Sequence, residues 1–182
     1  MALVVFLRGV NVGGRRRFRP SLLAQELRHL GAVNIGAAGT LIIRTRITRA
    51  KLRAELARRL PFQTTIAICD GRDIAKLIDS QPYAREGARP DVVGFISVLT
   101  RSPRSKPALP MTFPGRGVWL VKILASDGRF IVGQYRRDMK TIGYLGGIDR
   151  VFGVPVTTRS WSTIASIGRV LAGTASSRTP AS

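Results

Sequence analysis

A glycine-rich and arginine-rich stretch near the N-terminus has the clearest capacity for chemistry in this sequence. It follows the apolar run Leu3–Leu7 and extends from Gly9 to Arg19. Glycines let backbone N–H groups approach a phosphate, and the N-terminus of a following helix adds partial positive charge. Arginine adds full charge and forked hydrogen bonding. The residues predicted to contact an anion are Arg8, Gly9, Asn11, Gly13, Gly14, Arg15, Arg16, Arg17 and Arg19.

The same stretch lacks the residues of the known nucleotide-binding motifs. Gly9 and Gly14 have the spacing of the glycine pair in a P-loop, but Arg15 and Arg16 stand where Lys and Ser or Thr are required. No hydroxyl is then available for magnesium, which excludes hydrolysis by the P-loop mechanism. The G-x-G-x-x-G spacing is also absent. Three interpretations stay open: phosphate contact, a tight turn with solvated arginines, and a catalytic role.

A second candidate pair, Arg159 and Trp161, flanks the predicted start of the last helix. An arginine can hold an anion with two parallel hydrogen bonds, and a tryptophan offers a stacking face to a base. Both residues are therefore added to the predicted anion or nucleic-acid site. The alternative is structural, with Trp161 packed into the core and Arg159 paired with a nearby acid.

Other kinds of site find little support in the residue types. One cysteine, Cys69, and one histidine, His29, cannot assemble a zinc site of nitrogen and sulfur ligands. Cys69 lies in an apolar run and fits a small core residue. No triad or paired-acid pattern stands out among the ten carboxylates. RNA recognition by stacking on an RRM sheet needs a basic-Gly-aromatic motif that is absent. We expect no catalytic residue, metal or cofactor.

The charge balance is the most unusual global property. The formal net charge is +20, and 25 of the 30 basic residues are arginine. Such a field attracts polyanions, of which nucleic acid is the commonest in a cytosol. The competing explanation is a genome whose base composition favours arginine codons. Arginines spread evenly along the chain would favour that explanation, whereas clustering on one face would favour binding.

The first half of the chain has a regular pattern of elements. An alternating apolar strand, a helix after Pro20, two short strands, a helix capped by Thr48 and a fourth strand follow one another. The order β-α-β-β-α-β is that of ferredoxin-like folds. The second half is less regular. It contains a strand at Val92–Leu99, a proline-rich basic loop over residues 100–116, a hairpin over residues 117–136, a short strand at Val154–Val156, and a helix from Ser160.

Three segments resemble one known family when taken together. They are Phe6–Gly14, the glycine-centred link Ala37–Thr40, and Thr157–Thr163 with its Thr-Thr-Arg-x-Trp pattern. In this order and spacing they resemble DUF1697, a family of conserved uncharacterised proteins, over residues 2–172. The resemblance implies an α+β fold of two ferredoxin-like halves and no assigned activity. Many members have Gln-Ser-Gly-Asn in the link, where this chain has Ala-Ala-Gly-Thr.

We therefore expect an α+β protein of two ferredoxin-like halves packed together. The predicted parts are an N-terminal half at 1–70, a C-terminal half at 71–172 and a disordered tail at 173–182. No apolar run reaches the roughly 18 residues of a membrane helix, so we expect a cytoplasmic protein without a membrane partner.

The leading functional hypothesis is a non-enzymatic protein that binds nucleic acid, or another phosphate-rich polyanion, through the stretch from Arg8 to Arg19. An alternative is an enzyme or sensor that binds a small anionic ligand in a cleft between the halves. A closed pocket holding Arg8, Asn11 and Arg159 would favour that alternative. A third is a basic domain for an acidic protein partner, which an exposed apolar patch beside the arginines would favour.

Overall fold

The computed structural model describes residues 2–11, 18–87 and 89–176, and it shows an α+β protein with two antiparallel sheets. The chain forms two compact units. The first contains the residues up to Ser80 together with those from Ser162 onward, and the second is Gln81–Trp161. The expectation of an α+β fold is confirmed at this level.

The four strands of the first unit form one sheet in the order β2-β3-β1-β4, and all neighbours are antiparallel. Val5 at the middle of β1 lies opposite Leu41 on one side and Ile68 on the other. A strand with partners on both sides is held firmly, so the chain leaves β1 at a fixed point. The strands are β1 Leu3–Leu7, β2 Ala32–Asn34, β3 Thr40–Ile43 and β4 Ile66–Asp70.

The helices of the first unit begin and end at recognisable signals. Pro20 is the first residue of α1, and Gly31 ends the following 3-10 turn in the left-handed region. The Thr48 hydroxyl accepts a hydrogen bond from the Lys51 N–H at 3.2 Å, so it caps α2 as predicted. The helical segments are α1 Pro20–Glu26, the 3-10 turn Arg28–Leu30, α2 Arg49–Arg59, α3 Gly71–Asp79 and α6 Trp161–Ser176.

The core of the first unit is aliphatic, because alternate residues of β1 point toward the leucines of α1 and α2. Leu3, Val5 and Leu7 are buried in one cluster with leucines of both helices. Val4 and Phe6, on the opposite face of the strand, are also fully buried. Neither face of β1 is therefore open to solvent, and the first exposed residue after the strand is Gly9.

The division into units differs from a single cut near residue 70. The helix α3 follows β4 directly, and the Gly71 N–H donates to the Ala2 carbonyl at 2.9 Å. A Cβ at Gly71 would lie 3.1 Å from a methyl carbon of Leu171 in α6. Both helices thus pack against the start of the chain. α6 extends to Ser176, beyond Gly173 where the tail was predicted to begin, and residues 177–182 lie outside the described residues.

The second unit has a five-stranded antiparallel sheet in the order β6-β7-β8-β5-β9, with β5 in the interior. Phe95 and Leu99 of β5 pack in one cluster with Ile148 and Phe152. The elements are β5 Val92–Leu99, β6 Met111–Phe113, β7 Val121–Asp127, β8 Phe130–Arg136, α4 Thr141–Gly146, α5 Ile148–Phe152 and β9 Val156–Ser160.

Three features of the second unit differ from the prediction. The edge strand β6 lies inside the segment predicted to be a loop, and α4 and α5 were not predicted. The predicted strand Val154–Val156 is replaced by β9, which begins where the prediction ended. All of these elements have six residues or fewer, too few to show a clear period. In the described part of the chain, no helix has the length and apolar character needed to cross a bilayer.

Candidate polyanion-binding loop

The chain turns sharply at the C-terminal end of β1. Gly9 has φ of +66° and Asn11 has φ of +57°, both in the left-handed region. Glycine adopts this region without steric cost, and asparagine tolerates it better than most side chains. Val10, between them, is 3% exposed and joins the aliphatic core. The turn is therefore anchored by one inward side chain and two residues suited to its backbone.

The Asn11 side chain closes the base of the arginine-rich loop. Its Oδ1 accepts a hydrogen bond from the Phe18 N–H at 2.9 Å. Its Nδ2 donates to the Phe18 carbonyl and to the Ala37 carbonyl, each at 2.8 Å. We call these three residues the loop clamp. Both amide donors and the amide oxygen are occupied by the protein's own backbone, so Asn11 acts here as a support for the loop.

The link between β2 and β3 supports the turn from one side. The Leu7 N–H donates to the Gly39 carbonyl at 2.8 Å. Gly39 has φ of +73°, and a Cβ there would lie 3.0 Å from Cβ of Leu7 and 3.3 Å from Cβ of Val10. The glycine-centred link that stood out in the sequence is therefore the element on which the turn rests.

The start of β4 supports the turn from the other side. The Arg8 N–H donates to the Thr65 carbonyl at 3.0 Å, and the Thr64 hydroxyl donates to the Arg8 carbonyl at 2.5 Å. Phe18 packs edge-on against Phe62 with ring centroids 5.4 Å apart. Both ends of the loop are thus fixed to the first unit by backbone, hydroxyl and aromatic contacts.

Three described arginines lie at this end of the first unit or next to the clamp in sequence. Arg8 is half-buried and Arg19 is exposed. Arg19 stands at the N-cap position of α1, and its side chain makes no capping hydrogen bond there. Arg53 of α2 donates from Nη1 to the Ile66 carbonyl at 2.9 Å, and Ile66 lies opposite Leu7 in the ladder. Its guanidinium therefore lies at the same end of the sheet as Arg8. Arg53 was not among the residues that the sequence predicted to contact an anion.

The remaining predicted loop residues, Gly13, Gly14, Arg15, Arg16 and Arg17, lie outside the described residues. They belong to the six-residue segment between Asn11 and Phe18. The flanking residues Asn11 and Phe18 are joined in the loop clamp. Of the predicted set, Arg8, Gly9, Asn11 and Arg19 lie within the described residues, and Asn11 belongs to the loop clamp.

Comparison with known proteins identifies the family of this chain. A family model described as "Protein of unknown function (DUF1697)" matches residues 1–109. The chain belongs to the DUF1697 family. The matched range contains the whole loop clamp, the β2–β3 link and the start of β4. No curated protein matches the chain.

A solved structure is similar to this DUF1697 chain in fold. It is the conserved bacterial protein SP0830 from Streptococcus pneumoniae, with a TM-score of 0.56 and 16% sequence identity. The alignment covers 93% of this chain and 98% of that one. At this identity the likeness shows a shared fold alone.

Arg159, the other predicted anion ligand, lies on β9 of the DUF1697 chain, opposite Ile96 of β5. It is 7% exposed, and its Nη1 donates to the Thr158 carbonyl at 2.8 Å. Burial lowers the pKa of Arg159 to about 10, so the guanidinium still carries its charge at neutral pH. A guanidinium this buried is poorly placed to contact the phosphates of a nucleic acid bound at the protein surface.

Trp161 packs against another aromatic ring, which is close to the structural alternative stated for it above. It is half-buried, and its ring meets the ring of Tyr83 edge-on, with centroids 5.2 Å apart and planes at 73°. Tyr83 lies over Gly94, where a Cβ would be 2.9 Å from the ring. Stacking a base on Trp161 would compete with this contact. Arg159 is therefore buried and Trp161 is half-buried, whereas Arg19 is exposed.

A groove of about 450 Å³ lies in the second unit, where the proline-rich segment meets the β7–β8 turn. None of the predicted anion-binding residues lines it. It is lined by Ser102, Pro103, Ser105, Lys106, Pro107, Leu109, Ser126, Gly128 and Phe152. Among the residues that the structure describes, no group of three or more His, Cys, Asp or Glu residues is placed to hold a metal ion.

Proposed function

We propose that this DUF1697 protein is a non-enzymatic, cytoplasmic binding protein for phosphate-rich polyanions, nucleic acid above all. The contact surface is the stretch from Arg8 to Arg19, extended by Arg53. One observation carries the proposal: Asn11 uses its whole amide group to hold together the ends of a segment that contains three consecutive arginines.

The clamp matters energetically because binding a polyanion requires ordering the side chains that hold it. Ordering costs about 0.5–1.5 kcal/mol for each rotamer-rich side chain at an interface. Fixing Asn11 and Phe18 to each other leaves the chain between them with less conformational freedom to lose on binding. The loop clamp thus favours tight contact by the arginines that it supports.

Acidic residues of the first unit neutralise part of the positive charge of helix α2, and the loop has no such acids in its sequence. Asp70 pairs with Arg49 at 2.5 Å, and Glu55 pairs with Arg58 at 2.7 Å and also with Arg59. Desolvation raises the pKa of Glu55, but hydrogen bonds from Arg59 and Arg58 outweigh it and hold the pKa below its usual value. Three basic side chains of α2 are therefore partly neutralised, whereas the loop sequence from residue 9 to residue 19 contains no acid.

The proposed mode of binding is contact with phosphates, without reading of bases. Arginine recognises phosphate by paired hydrogen bonds, and charge neutralisation releases counterions from the nucleic acid. The described surface near the clamp offers no exposed aromatic ring for stacking, since Phe18 packs edge-on against Phe62. Affinity should then depend steeply on salt and little on base sequence.

We also propose that both units are variants of a ferredoxin-like arrangement. In the first, the β-α-β-β-α-β order is complete at Asp70, which supports a boundary of the ferredoxin-like motif near residue 70. The compact unit also includes α3 and most of α6. In the second, β7-β8-β5-β9 repeats the strand order β2-β3-β1-β4. There the first crossover is the proline-rich segment with β6 in place of a helix.

Fluorescence anisotropy with labelled oligonucleotides tests the functional proposal. The purified full chain is titrated into single- and double-stranded DNA and RNA, each in two unrelated sequences, over a series of salt concentrations. We expect binding to every type, similar affinity for the two sequences, and a log-linear loss of affinity with salt. Absence of binding near physiological salt would contradict the proposal.

A further inference from the structure

Exposed apolar side chains gather at one end of the second unit. In the described part of the chain, four large hydrophobic side chains are exposed, and three of them are Val118 (69%), Ile142 (66%) and Met139 (90%). We call these three residues the apolar patch. Large apolar groups that protrude on several neighbouring loops mark surfaces that meet another apolar phase.

Two loops that are joined to each other carry the apolar patch. The Leu120 N–H donates to the Phe113 carbonyl at 2.7 Å and closes the β6–β7 loop, which contains Val118. The Arg136 N–H donates to the Leu120 carbonyl at 2.8 Å. The Arg136 guanidinium lies 4.7 Å from the centre of the Trp119 ring. The β6–β7 loop and the segment after β8 therefore occupy the same end of the sheet.

The segment after β8 is a tight turn that directs its side chains outward. The Asp138 carboxylate accepts the Lys140 N–H at 2.8 Å, and the Thr141 N–H donates to the Asp138 carbonyl at 3.1 Å. Thr141 is buried, and its hydroxyl donates to the Arg136 carbonyl at 2.9 Å. Met139 and Ile142 are thus presented by a fixed turn and the first turn of α4.

Basic residues surround the apolar patch, and the nearby acids are already engaged. Arg116, Arg137 and Lys140 are exposed beside the patch. Asp138 is held within its own turn, and Asp91 pairs with Arg136 at 2.8 Å and with Arg89 at 3.2 Å. The net charge around the patch is therefore positive.

We propose that this end of the protein docks peripherally on an anionic lipid surface. Val118, Met139 and Ile142 enter the interfacial layer, while Arg116, Arg137 and Lys140 meet lipid phosphates and carboxylates. A protruding side chain that is 90% exposed fits a fluid apolar phase, whereas a protein partner would need a hollow shaped to receive it. The sequence predicted no membrane partner. The apolar patch belongs to the second unit, whereas the loop clamp belongs to the first.

Vesicle binding by the full chain tests this surface. The protein is sedimented with phosphatidylcholine vesicles that contain or lack phosphatidylserine. The triple variant Val118→Ser, Met139→Ser, Ile142→Ser keeps every charge. Leu22→Ser, at the fourth exposed apolar residue, is the matched control because it is 48% exposed and belongs to the first unit. In a Trp161→Phe background, quenching of Trp119 by brominated lipid reports insertion directly.

We expect binding to the phosphatidylserine vesicles, at least a tenfold loss in the triple variant, less than twofold change in the control, and quenching of Trp119. Equal binding by the triple variant, without quenching, would show attraction by charge alone and overturn the proposal. Failure to bind vesicles, with patch-dependent binding of an acidic peptide that carries leucines, would overturn it in favour of a protein partner. Replacing Arg15, Arg16 and Arg17 by Ala should leave the insertion signal in place.

Discussion

Asn11 and Phe18 exchange two hydrogen bonds across the base of the arginine-rich loop. The Phe18 N–H donates to Asn11 Oδ1 at 2.9 Å, and Asn11 Nδ2 donates to the Phe18 carbonyl at 2.8 Å. Seven positions separate the two residues, so this exchange closes a loop rather than a simple turn. The sequence between them supplies three of the arginines on which the proposed function depends.

Removing the Asn11 amide should loosen the loop and lower stability. Asn11→Gly keeps a residue that tolerates positive φ and deletes all three hydrogen bonds, which we expect to cost about 1–3 kcal/mol in urea unfolding. Polyanion affinity should fall several-fold although every arginine remains. Asn11→Ala should be worse still, because alanine also strains the left-handed backbone. Wild-type stability and affinity in Asn11→Gly would show that the clamp has no role.

Two glycines of the β2–β3 link provide a matched pair. Gly36 and Gly39 have φ of +69° and +73°, but only at Gly39 would a Cβ meet neighbours, at 3.0 Å from Leu7. Gly36→Ala should cost about 1–2 kcal/mol for the backbone alone. Gly39→Ala should cost a further ~1–3 kcal/mol for the collision. Equal free energies of unfolding for the two variants would mean that the link does not support the turn after β1.

Tyr83→Phe should destabilise the second unit in a manner that depends on pH. The single proton of the Tyr83 hydroxyl is shared between the Phe95 carbonyl at 2.6 Å and the Gly133 carbonyl at 3.0 Å. Burial raises the pKa of Tyr83 in the folded state. The stability that the hydroxyl contributes, about 1 kcal/mol, is therefore complete below the unfolded-state value near 10.

Above that value the unfolded state loses its proton first, so unfolding becomes easier as the pH rises. The difference in unfolding free energy between wild type and Tyr83→Phe should shrink above about pH 10. Urea unfolding of both proteins, from neutral to strongly alkaline pH, measures this difference in unfolding free energy. A difference that stays constant with pH would place the hydroxyl in contact with solvent.

The local elements of the first unit were predictable because their signals are local. Pro20, Thr48 and Gly31 mark helix boundaries that the structure shows at those residues. Asp70 is the exception. It stands at the N-cap position of α3 without capping it, since its carboxylate pairs with Arg49 at 2.5 Å. No spacing rule reveals a partner that is 21 positions away.

The candidate site was predictable in composition and not in architecture. Glycine and arginine types located the loop, but the role of Asn11 depends on Ala37, 26 positions away along the chain. β9 begins two residues later than the predicted strand and therefore includes Arg159. Arg159 is buried within the sheet for this reason. Both arrangements depend on contacts between residues far apart in the sequence. The periodicity of apolar residues contains no information about such contacts.

The salt dependence of DNA binding tests the central claim most directly. The variant Arg15→Ala, Arg16→Ala, Arg17→Ala is compared with Arg28→Ala, Arg44→Ala, Arg46→Ala, which removes the same charge. The control arginines are exposed near the opposite end of β1, where Ile43 lies across from Leu3 and the Arg44 N–H bonds to Leu30.

Each lost phosphate contact lowers the slope of log affinity against log salt by about 0.9 for duplex DNA. The loop variant should therefore lose up to about 3 units of slope and most of its affinity, while the control keeps the wild-type slope. Equal losses in the two variants would show that binding follows total charge, and the proposed role of the loop would be wrong.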